Sequence, residues 1–233
     1  PKVVILSSEN FSAVNLNSFI EFLKKYLILF SSVKVIVYLR RQDLLIESSY
    51  KQAMKMQFFY RFSEVNKQNK NYLNFPYFLS EWKKLTQLII PRIYDKKLFP
   101  DGNVILDFLS ILGIDYPPEK ARIEVNPSLS HISALVLREI NEKFELPKEL
   151  HRKVVQYLLE QDKVNKHPLK SFFTLEERLS FLERYRESNE RLFREYFNSE
   201  NRFVLSEEEI EFYREQDEIL KDKERLERDI RER

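Results

Sequence analysis

The sequence has 233 residues and a net charge of +2, with 43% hydrophobic and 33% charged residues. This composition suits one domain with a hydrophobic core and some additional helix. The nearly balanced charge excludes the strong basic excess that is typical of nucleic-acid-binding proteins. We therefore expect no nucleic-acid partner, and any anion site must be local. The lack of cysteine excludes disulfides, thiolate metal sites and a cysteine nucleophile.

Membrane, export and metal signals are also missing from the sequence. No apolar run reaches the ~18 to 20 residues that a membrane-spanning helix needs, and no signal peptide precedes the strand-like run VVIL. We therefore expect a cytoplasmic protein without a membrane span. The histidines lack HExxH-type pairing, so we expect no bound metal and surface or helix-flank positions for His131, His151 and His167.

The first half of the chain alternates apolar strand-like runs with amphipathic segments. The predicted strands are Lys2–Leu6, Val33–Leu39 and Leu88–Tyr94, and the predicted helices are Phe19–Phe30, Asp43 to about Phe62, Phe78–Leu88 and Val104–Leu112. This order predicts an α/β fold with a parallel sheet, in which ligands bind beyond the carboxyl ends of the strands. The segments SSEN, YLRRQ and RIYD should then share one rim of the sheet.

The second half of the chain is almost entirely helical in pattern. The predicted helices are Leu129–Phe144, Lys148–Glu160, Leu175–Phe197 and Glu207–Arg231. Ser206 and Glu209 form a capping-box pattern before the last helix, whose apolar positions are sparse. It is either a solvated terminal helix or a partner-binding helix over 206–231. We therefore divide the chain into a domain over 1–200 and a charged C-terminal helix over 201–233.

The strongest chemical signal lies where the second predicted strand meets the next helix. Arg40 and Arg41 directly follow the strand, and the helix carries Ser48 in its second turn. A helix N-terminus offers unpaired N–H groups, and a guanidinium beside it can bind a phosphate through two hydrogen bonds. These residues indicate an anion site. The alternative is that one arginine pairs with Asp43 or Glu47 and that Ser48 merely packs.

This segment, VKVIVYLRRQDLLIESSY, resembles the 3′-phosphate-binding strand–turn–helix of the sulfotransferases. In that family an Arg ends the strand, a Ser follows eight residues later and an aromatic residue two further on. Arg40, Ser48 and Tyr50 have this spacing. The local sequence, YLRRQD followed by ESSY, is similar to that of sulfotransferase-like proteins that are often encoded with bacterial surface-polysaccharide genes. The resemblance implies a P-loop sulfotransferase fold with a mostly helical C-terminal half. It also implies 3′-phosphoadenylyl sulfate (PAPS) as co-substrate.

The resemblance covers nearly the whole chain, with one departure. KVVILSSENF, EWKKL, LIIPRIYDKKLFPDG, ILDFLSILGID, NPSLS and the helix RYRESNERLFREYF are similar to family segments. Family members begin, however, with a loop of the form HxGxxKTGTT that surrounds the 5′-phosphosulfate, and this sequence contains none. The first residue already lies in an apolar strand-like run, so we expect either that an upstream piece is missing or that catalysis has been lost.

Further site residues are assigned by resemblance. Sulfotransferases commonly place a His or Glu base after the first strand, where this chain has Glu9; the alternative is that Glu9 caps the next helix or pairs with a basic neighbour. Arg92 and Tyr94 end the third strand on the side that the family uses for adenosine, although simple packing there is an equal alternative. We interpret Trp82 as a core residue because it shares a helix face with Leu79 and Leu85.

Ser7 and Ser8 follow the first predicted strand and are either ligand contacts or turn formers. Taken together, these assignments predict transfer of a sulfuryl group from PAPS to a hydroxyl, with a carbohydrate as the favoured acceptor. The chain as given should transfer poorly without the 5′-phosphosulfate loop. A non-catalytic binding or scaffold module on the same fold is the alternative. A kinase-like protein has little support because the sequence has no GxxxxGK[ST] motif.

Overall fold

The computed structural model describes residues 3–8, 11, 16–28, 30–67, 71–121 and 127–221. These residues form a mixed α/β structure that is mostly helical. The chain divides into two compact units that are built from alternating segments. Unit 1 comprises Pro1–Arg40, Asn69–Asp95 and Tyr185–Arg202, and unit 2 comprises Arg41–Gln68, Lys96–Arg184 and Phe203–Arg233.

The described residues of unit 1 form a small parallel sheet and three α-helices. Its elements are α1 (Leu16–Leu27), β1 (Val35–Leu39), α4 (Phe75–Lys83), β2 (Ile89–Ile93) and α9 (Arg186–Leu192). The last helix continues into a wide π turn over Phe193–Phe197. The α4 helix starts three residues earlier than predicted because the Asn74 side chain caps it, accepting from the Tyr77 N–H, and Pro76 fits its first turn.

The sheet confirms two of the three predicted strands and their parallel arrangement. Val35 to Leu39 pair in register with Ile89 to Ile93. The prediction of a buried strand over Lys2–Leu6 is wrong for Val3–Leu6, which lie outside the sheet with side chains 54–73% exposed. A β-branched run forms a strand only where a neighbour pairs with its N–H and C=O groups, and no described residue pairs with this segment.

The core of unit 1 lies between α1, α4 and the sheet. Ile20, Leu23 and Trp82 are buried together, and Phe78 and Leu85 pack against them. The interpretation of Trp82 as a core residue is therefore confirmed. Both helices contribute one apolar face to this core, as their amphipathic patterns predict.

All the regular secondary structure in the described residues of unit 2 is helical. Its helices are α2 (Gln42–Lys55), α3 (Phe62–Lys67), α5 (Val104–Ile111), α6 (His131–Lys143), α7 (Lys148–Val164), α8 (Leu175–Glu183) and α10 (Glu207–Lys221). The helix predicted from Asp43 to about Phe62 is shorter than expected, because α2 ends at Lys55 and Gln57 adopts a left-handed conformation with φ 66°. The segment predicted as one helix over Leu175–Phe197 is likewise divided into α8 and α9.

Side-chain caps fix the starts of several helices in unit 2. Thr174 and Glu177 form a capping box at α8. The predicted capping box at α10 is confirmed: the Glu209 N–H donates to the Ser206 hydroxyl, and the Ser206 N–H donates to the Glu209 carboxylate. The α10 helix is more than a solvated helix, because it buries Tyr213 and contacts α8.

Candidate functional site

The carboxyl ends of β1 and β2 meet at one edge of the sheet in unit 1. Leu39 pairs with Ile93, and the Tyr94 N–H donates to the Leu39 carbonyl at 2.7 Å. Arg40 is the next residue after β1, so it comes to the same edge as Tyr94. Of the three segments predicted to share this rim, YLRRQ and RIYD are therefore brought together.

Arg40 is half-buried at this edge, and its guanidinium carbon lies 6.0 Å from the centroid of the Tyr94 ring. Tyr38 supports the Tyr94 ring edge-to-face, with a centroid distance of 6.4 Å. Arg92 is half-buried within β2, opposite Tyr38 in register. Among the residues that the structure describes, none forms a hydrogen bond or ion pair with the Arg40 guanidinium. The Arg40 guanidinium beside Tyr94 is therefore suited to an anion that carries an aromatic group.

Arg41 has a different environment from its neighbour. Its guanidinium donates to both carboxylate oxygens of Asp43, at 2.8 and 3.1 Å, and to both of Glu209, at 2.7 and 2.8 Å. A further bond goes to the Val204 carbonyl at 2.9 Å. Burial acts to lower the pKa of Arg41, but its hydrogen bonds to Glu209 and Asp43 outweigh burial and raise it. The alternative that an arginine pairs with Asp43 thus holds for Arg41.

A second arginine, Arg178 of α8, extends this arrangement into the interior of unit 2. Arg178 and Asp43 are both 0% exposed, and their closest N–O distance is 2.5 Å. Arg178 also pairs with Glu47 at 3.0 Å and donates to the Ser171 hydroxyl at 2.8 Å. Its guanidinium carbon lies 3.8 Å from the Tyr213 ring centroid. We call Arg41, Asp43, Glu47, Arg178 and Glu209 the α2 ion network.

The α2 ion network has a titratable neighbour in His131, the first residue of α6. Its Nε2 lies 3.8 Å from the Glu47 carboxylate and its Nδ1 3.4 Å from the Lys51 ammonium. Burial, with help from Lys51, lowers the pKa of His131. Burial acts to raise the pKa of Glu47, but His131, Arg178 and the Phe172 N–H outweigh it and lower the pKa to about 2. The carboxylate is thus strongly stabilised in its ionised form.

The two remaining residues of the predicted phosphate motif lie on α2 and differ in exposure. Ser48 is half-buried, and its hydroxyl forms no hydrogen bond with any residue that the structure describes. Tyr50 is 1% exposed, and its ring packs edge-to-face against Phe62 and Phe172. Ser48 is therefore available to a ligand, whereas the Tyr50 ring is part of the unit 2 core.

The residues predicted after the first strand give little structural information. Glu9, the candidate base, lies outside the described residues. Ser7 and Ser8 are exposed in the irregular segment 3–8.

A cavity of about 540 Å³ lies beside β1 in unit 1. Consecutive residues 33–38 line it, so it runs along the strand edge rather than across one face. Phe78 and Trp82 contribute to its apolar wall. Its described lining includes no carboxylate or imidazole and neither Arg40 nor Tyr94, but it does include Tyr38, whose ring contacts Tyr94, and the predicted ligand contacts Ser7 and Ser8.

The described residues also bear on metal binding and on membrane insertion. Nowhere in the described ranges are three or more His, Asp or Glu side chains grouped so that they could hold a metal ion. No helix within those ranges has both the length and the apolar character that crossing a bilayer requires.

The chain is similar to a known protein, but it matches no family model. No family model matches the chain, and no solved structure matches it significantly. An uncharacterised protein of Archaeoglobus fulgidus is 54% identical over 233 residues, which cover 99% of this chain and 63% of that protein. The chain thus spans less than two thirds of the length of this relative.

Sequence patterns did not predict the α2 ion network, the buried part of the site. Arg178 and Glu209 are 135 and 168 residues away from their partners Asp43 and Arg41, and no local spacing indicates such pairs. His131 was expected at a surface or helix flank, and it does begin a helix, but it is buried. The one usable signal was the pair of acidic residues, Asp43 and Glu47, one turn apart and directly after two arginines.

Proposed function

We propose that this chain is part of a PAPS-dependent sulfotransferase of the P-loop type, with a carbohydrate hydroxyl as the favoured acceptor. The observation that carries the proposal is the environment of the Arg40 guanidinium. This guanidinium lies beside the Tyr94 ring at the carboxyl end of two parallel strands and has no ionic partner among the described residues. An arginine in this setting suits a phosphate attached to a nucleoside, whose base can pack on an aromatic ring.

The spacing of the motif supports assignment of this phosphate as the 3′-phosphate of the donor. Ser48 follows Arg40 by eight residues, as in the sulfotransferases that the segment resembles, and its hydroxyl has no described partner. Ser48 belongs to unit 2, so its role here rests on this spacing. Arg92 and Tyr94 form the part of the site that contacts the adenosine of the donor. Arg41 and Tyr50 act by holding α2 in place and are not ligand contacts.

In the proposed reaction the acceptor hydroxyl attacks the sulfur of PAPS. A bond forms between sulfur and the acceptor oxygen, while the bond from sulfur to the 5′-phosphate oxygen breaks. The hydroxyl proton passes to a base, for which Glu9 is the candidate on sequence grounds, and adenosine 3′,5′-bisphosphate leaves. Backbone N–H groups and a lysine of a 5′-phosphosulfate loop would stabilise the leaving phosphate. Because these 233 residues contain no such loop, we expect little transfer by this chain alone.

A non-catalytic binding or scaffold module on the same fold is the second candidate. It is favoured by the lack of the 5′-phosphosulfate loop and by the use of Arg41 in a buried ion network. The part of the Archaeoglobus fulgidus protein that lies outside the match distinguishes the two candidates. A stretch similar to HxGxxKTGTT in that part favours the enzyme, and its absence there favours the module.

Calorimetric titration with adenosine 3′,5′-bisphosphate tests the proposal. We expect binding by the chain, and Arg40→Ala should weaken it by about 1.5 to 3 kcal/mol, the contribution of a charge-assisted hydrogen bond. This loss corresponds to a roughly ten- to hundred-fold higher Kd.

The matched control for this titration is Arg152→Ala, which removes an exposed arginine whose ion pair within the described residues is with Glu149 one turn away. Its affinity for the nucleotide should equal that of the wild type. Failure of both this chain and the full-length relative to bind the nucleotide would contradict the proposal, and an unchanged affinity in Arg40→Ala would exclude Arg40 from the site.

A further inference from the structure

The Arg41 side chain uses its full hydrogen-bonding capacity. A guanidinium has five N–H donors, and those of Arg41 are matched by five bonds: two to Asp43, two to Glu209 and one to the Val204 carbonyl. The side chain is 8% exposed. An arginine in this state has no donor left for a phosphate, so its contribution to ligand binding must be indirect.

The partners of Arg41 connect the start of α2 with the start of α10. Arg41 is the N-cap residue of α2, and its carbonyl accepts from the Leu45 N–H at 3.0 Å. Glu209 lies in the first turn of α10, and Val204 precedes that helix. The bidentate pair between Arg41 and Glu209 therefore attaches the first turn of α2 to a segment more than 160 residues away.

We propose that the pair of Arg41 and Glu209 is a clamp that fixes the first turn of α2 for phosphate binding. Glu209 is then a positioning residue, and α10 is a required part of the site rather than an appendage. The link to phosphate rests on the function proposed above, because α2 carries Ser48 and begins directly after Arg40.

The opposite interpretation is that Glu209 occupies Arg41 in place of a phosphate and inhibits binding. The charges of the α2 ion network argue against it. Two arginines already face three carboxylates, Asp43, Glu47 and Glu209. With Glu209 displaced, the two arginines face the two carboxylates of Asp43 and Glu47, so a phosphate with a charge near −2 would leave a larger excess of negative charge than Glu209 does. The two interpretations predict opposite effects on affinity.

Glu209→Gln tests the clamp separately from the capping role that Glu209 also has. Glu209 also belongs to the capping box of α10, and glutamine serves that box as well as glutamate does. The substitution therefore keeps the start of α10 but removes the charge and places an amide N–H₂ against the Arg41 guanidinium. Glu211→Gln is the matched control, because Glu211 is exposed on the same helix and its ion pair in the described part of the chain is with Arg214, one turn away.

Amide hydrogen exchange measures the clamp without any ligand. In Glu209→Gln we expect exchange of the Leu45 amide to become about ten-fold faster or more, since a charge-assisted contact is lost. The His151 amide forms the equivalent first-turn bond in α7, to the Pro147 carbonyl at 2.9 Å, and should not change. Unchanged exchange at Leu45 would overturn the clamp. Equal acceleration at Leu45 and His151 would overturn it too, because it indicates only global destabilisation.

Calorimetry with adenosine 3′,5′-bisphosphate measures the positioning role. Glu209→Gln should raise the Kd about ten-fold, while Glu211→Gln should leave it unchanged. An unchanged or lower Kd in Glu209→Gln would overturn positioning, and a lower one would indicate competition with phosphate. If neither the wild type nor the full-length relative binds the nucleotide, the proposed function and the positioning role both fail, and exchange at Leu45 still decides whether the clamp exists.

Discussion

Asp43 is the residue at which both arginines of the α2 ion network meet. Its carboxylate accepts from Arg41 and from Arg178 and has no exposed surface. Neutralising it removes one of the two carboxylates that each buried guanidinium contacts, so that among the described carboxylates Arg41 keeps Glu209 and Arg178 keeps Glu47. Removing one partner of a buried ion pair is strongly destabilising, even though the intact pair adds little net stability over an apolar replacement.

We therefore expect Asp43→Asn to lower the free energy of unfolding by roughly 3 to 5 kcal/mol. Urea denaturation followed by circular dichroism measures this change. Glu149→Gln is the control, because it removes one carboxylate from an exposed pair with Arg152, and such pairs contribute about 0 to 1 kcal/mol. A loss under about 1 kcal/mol in Asp43→Asn would mean that Glu47 and Glu209 compensate the two guanidinium groups without Asp43.

At the scale of single residues, the sequence predicts near neighbours better than distant ones. Pairing of Arg41 with Asp43 was one of two open alternatives, because two residues of opposite charge so close in sequence can meet without any knowledge of the fold. The partners Arg178 and Glu209 come from the packing of α8 and α10 on α2, which no local pattern encodes. The position of the Arg40 guanidinium beside Tyr94, without an ionic partner among the described residues, likewise depends on tertiary structure.

Helix boundaries follow from local chemistry, and the capping boxes are the clearest case. The sequence predicted the Ser206–Glu209 box of α10, and the structure confirms both of its hydrogen bonds. The prediction of a strand over Lys2–Leu6 was wrong for Val3–Leu6, because a strand forms only where a neighbouring strand pairs with its edge. Propensity alone therefore predicts helices with good caps more reliably than strands with unknown neighbours.

Ser206→Ala tests the contribution of the cap to α10. We expect a loss of about 1 kcal/mol in the free energy of unfolding, the usual effect of removing an N-cap side chain. Ser80→Ala is a matched control, because the Ser80 hydroxyl donates to the Tyr77 carbonyl within α4 and caps nothing. Alanine is favoured in a helix interior, so this variant should be neutral or slightly stabilised. Equal losses in both variants would argue against a capping role for Ser206.

At the scale of the whole molecule, the two units alternate along the chain, each built from three segments. The sequence has no low-complexity linker that would mark such boundaries. Hydrophobic patterning predicted the α/β start and the helical second half, but it carries no information on which segments assemble together. That assembly depends on long-range burial, as around Phe172, which contacts both Phe62 and Tyr50.

Acid should affect unit 2 more than unit 1 because, among the described residues, the buried groups with shifted pKa values belong to unit 2. Glu47 has a pKa of about 2 when folded, against an ordinary value of 4.5. Its contribution, about 3 kcal/mol, is therefore complete above pH 4.5 and is lost as the pH falls toward 2. His131 acts in the same direction, since its lowered pKa means that protonation below its ordinary 6.5 favours the unfolded chain.

Urea unfolding at pH 7 and pH 3, followed by two probes, tests this difference between the units. Trp82, the sole tryptophan, reports the apolar core of unit 1 by fluorescence, whereas circular dichroism is dominated by the helices of both units. We expect the circular dichroism midpoint to fall below the fluorescence midpoint at pH 3. Glu47→Gln should reduce the shift between the two pH values, because its side chain does not titrate. Coincident midpoints at pH 3, together with a wild-type shift in Glu47→Gln, would show that the α2 ion network does not control the acid response.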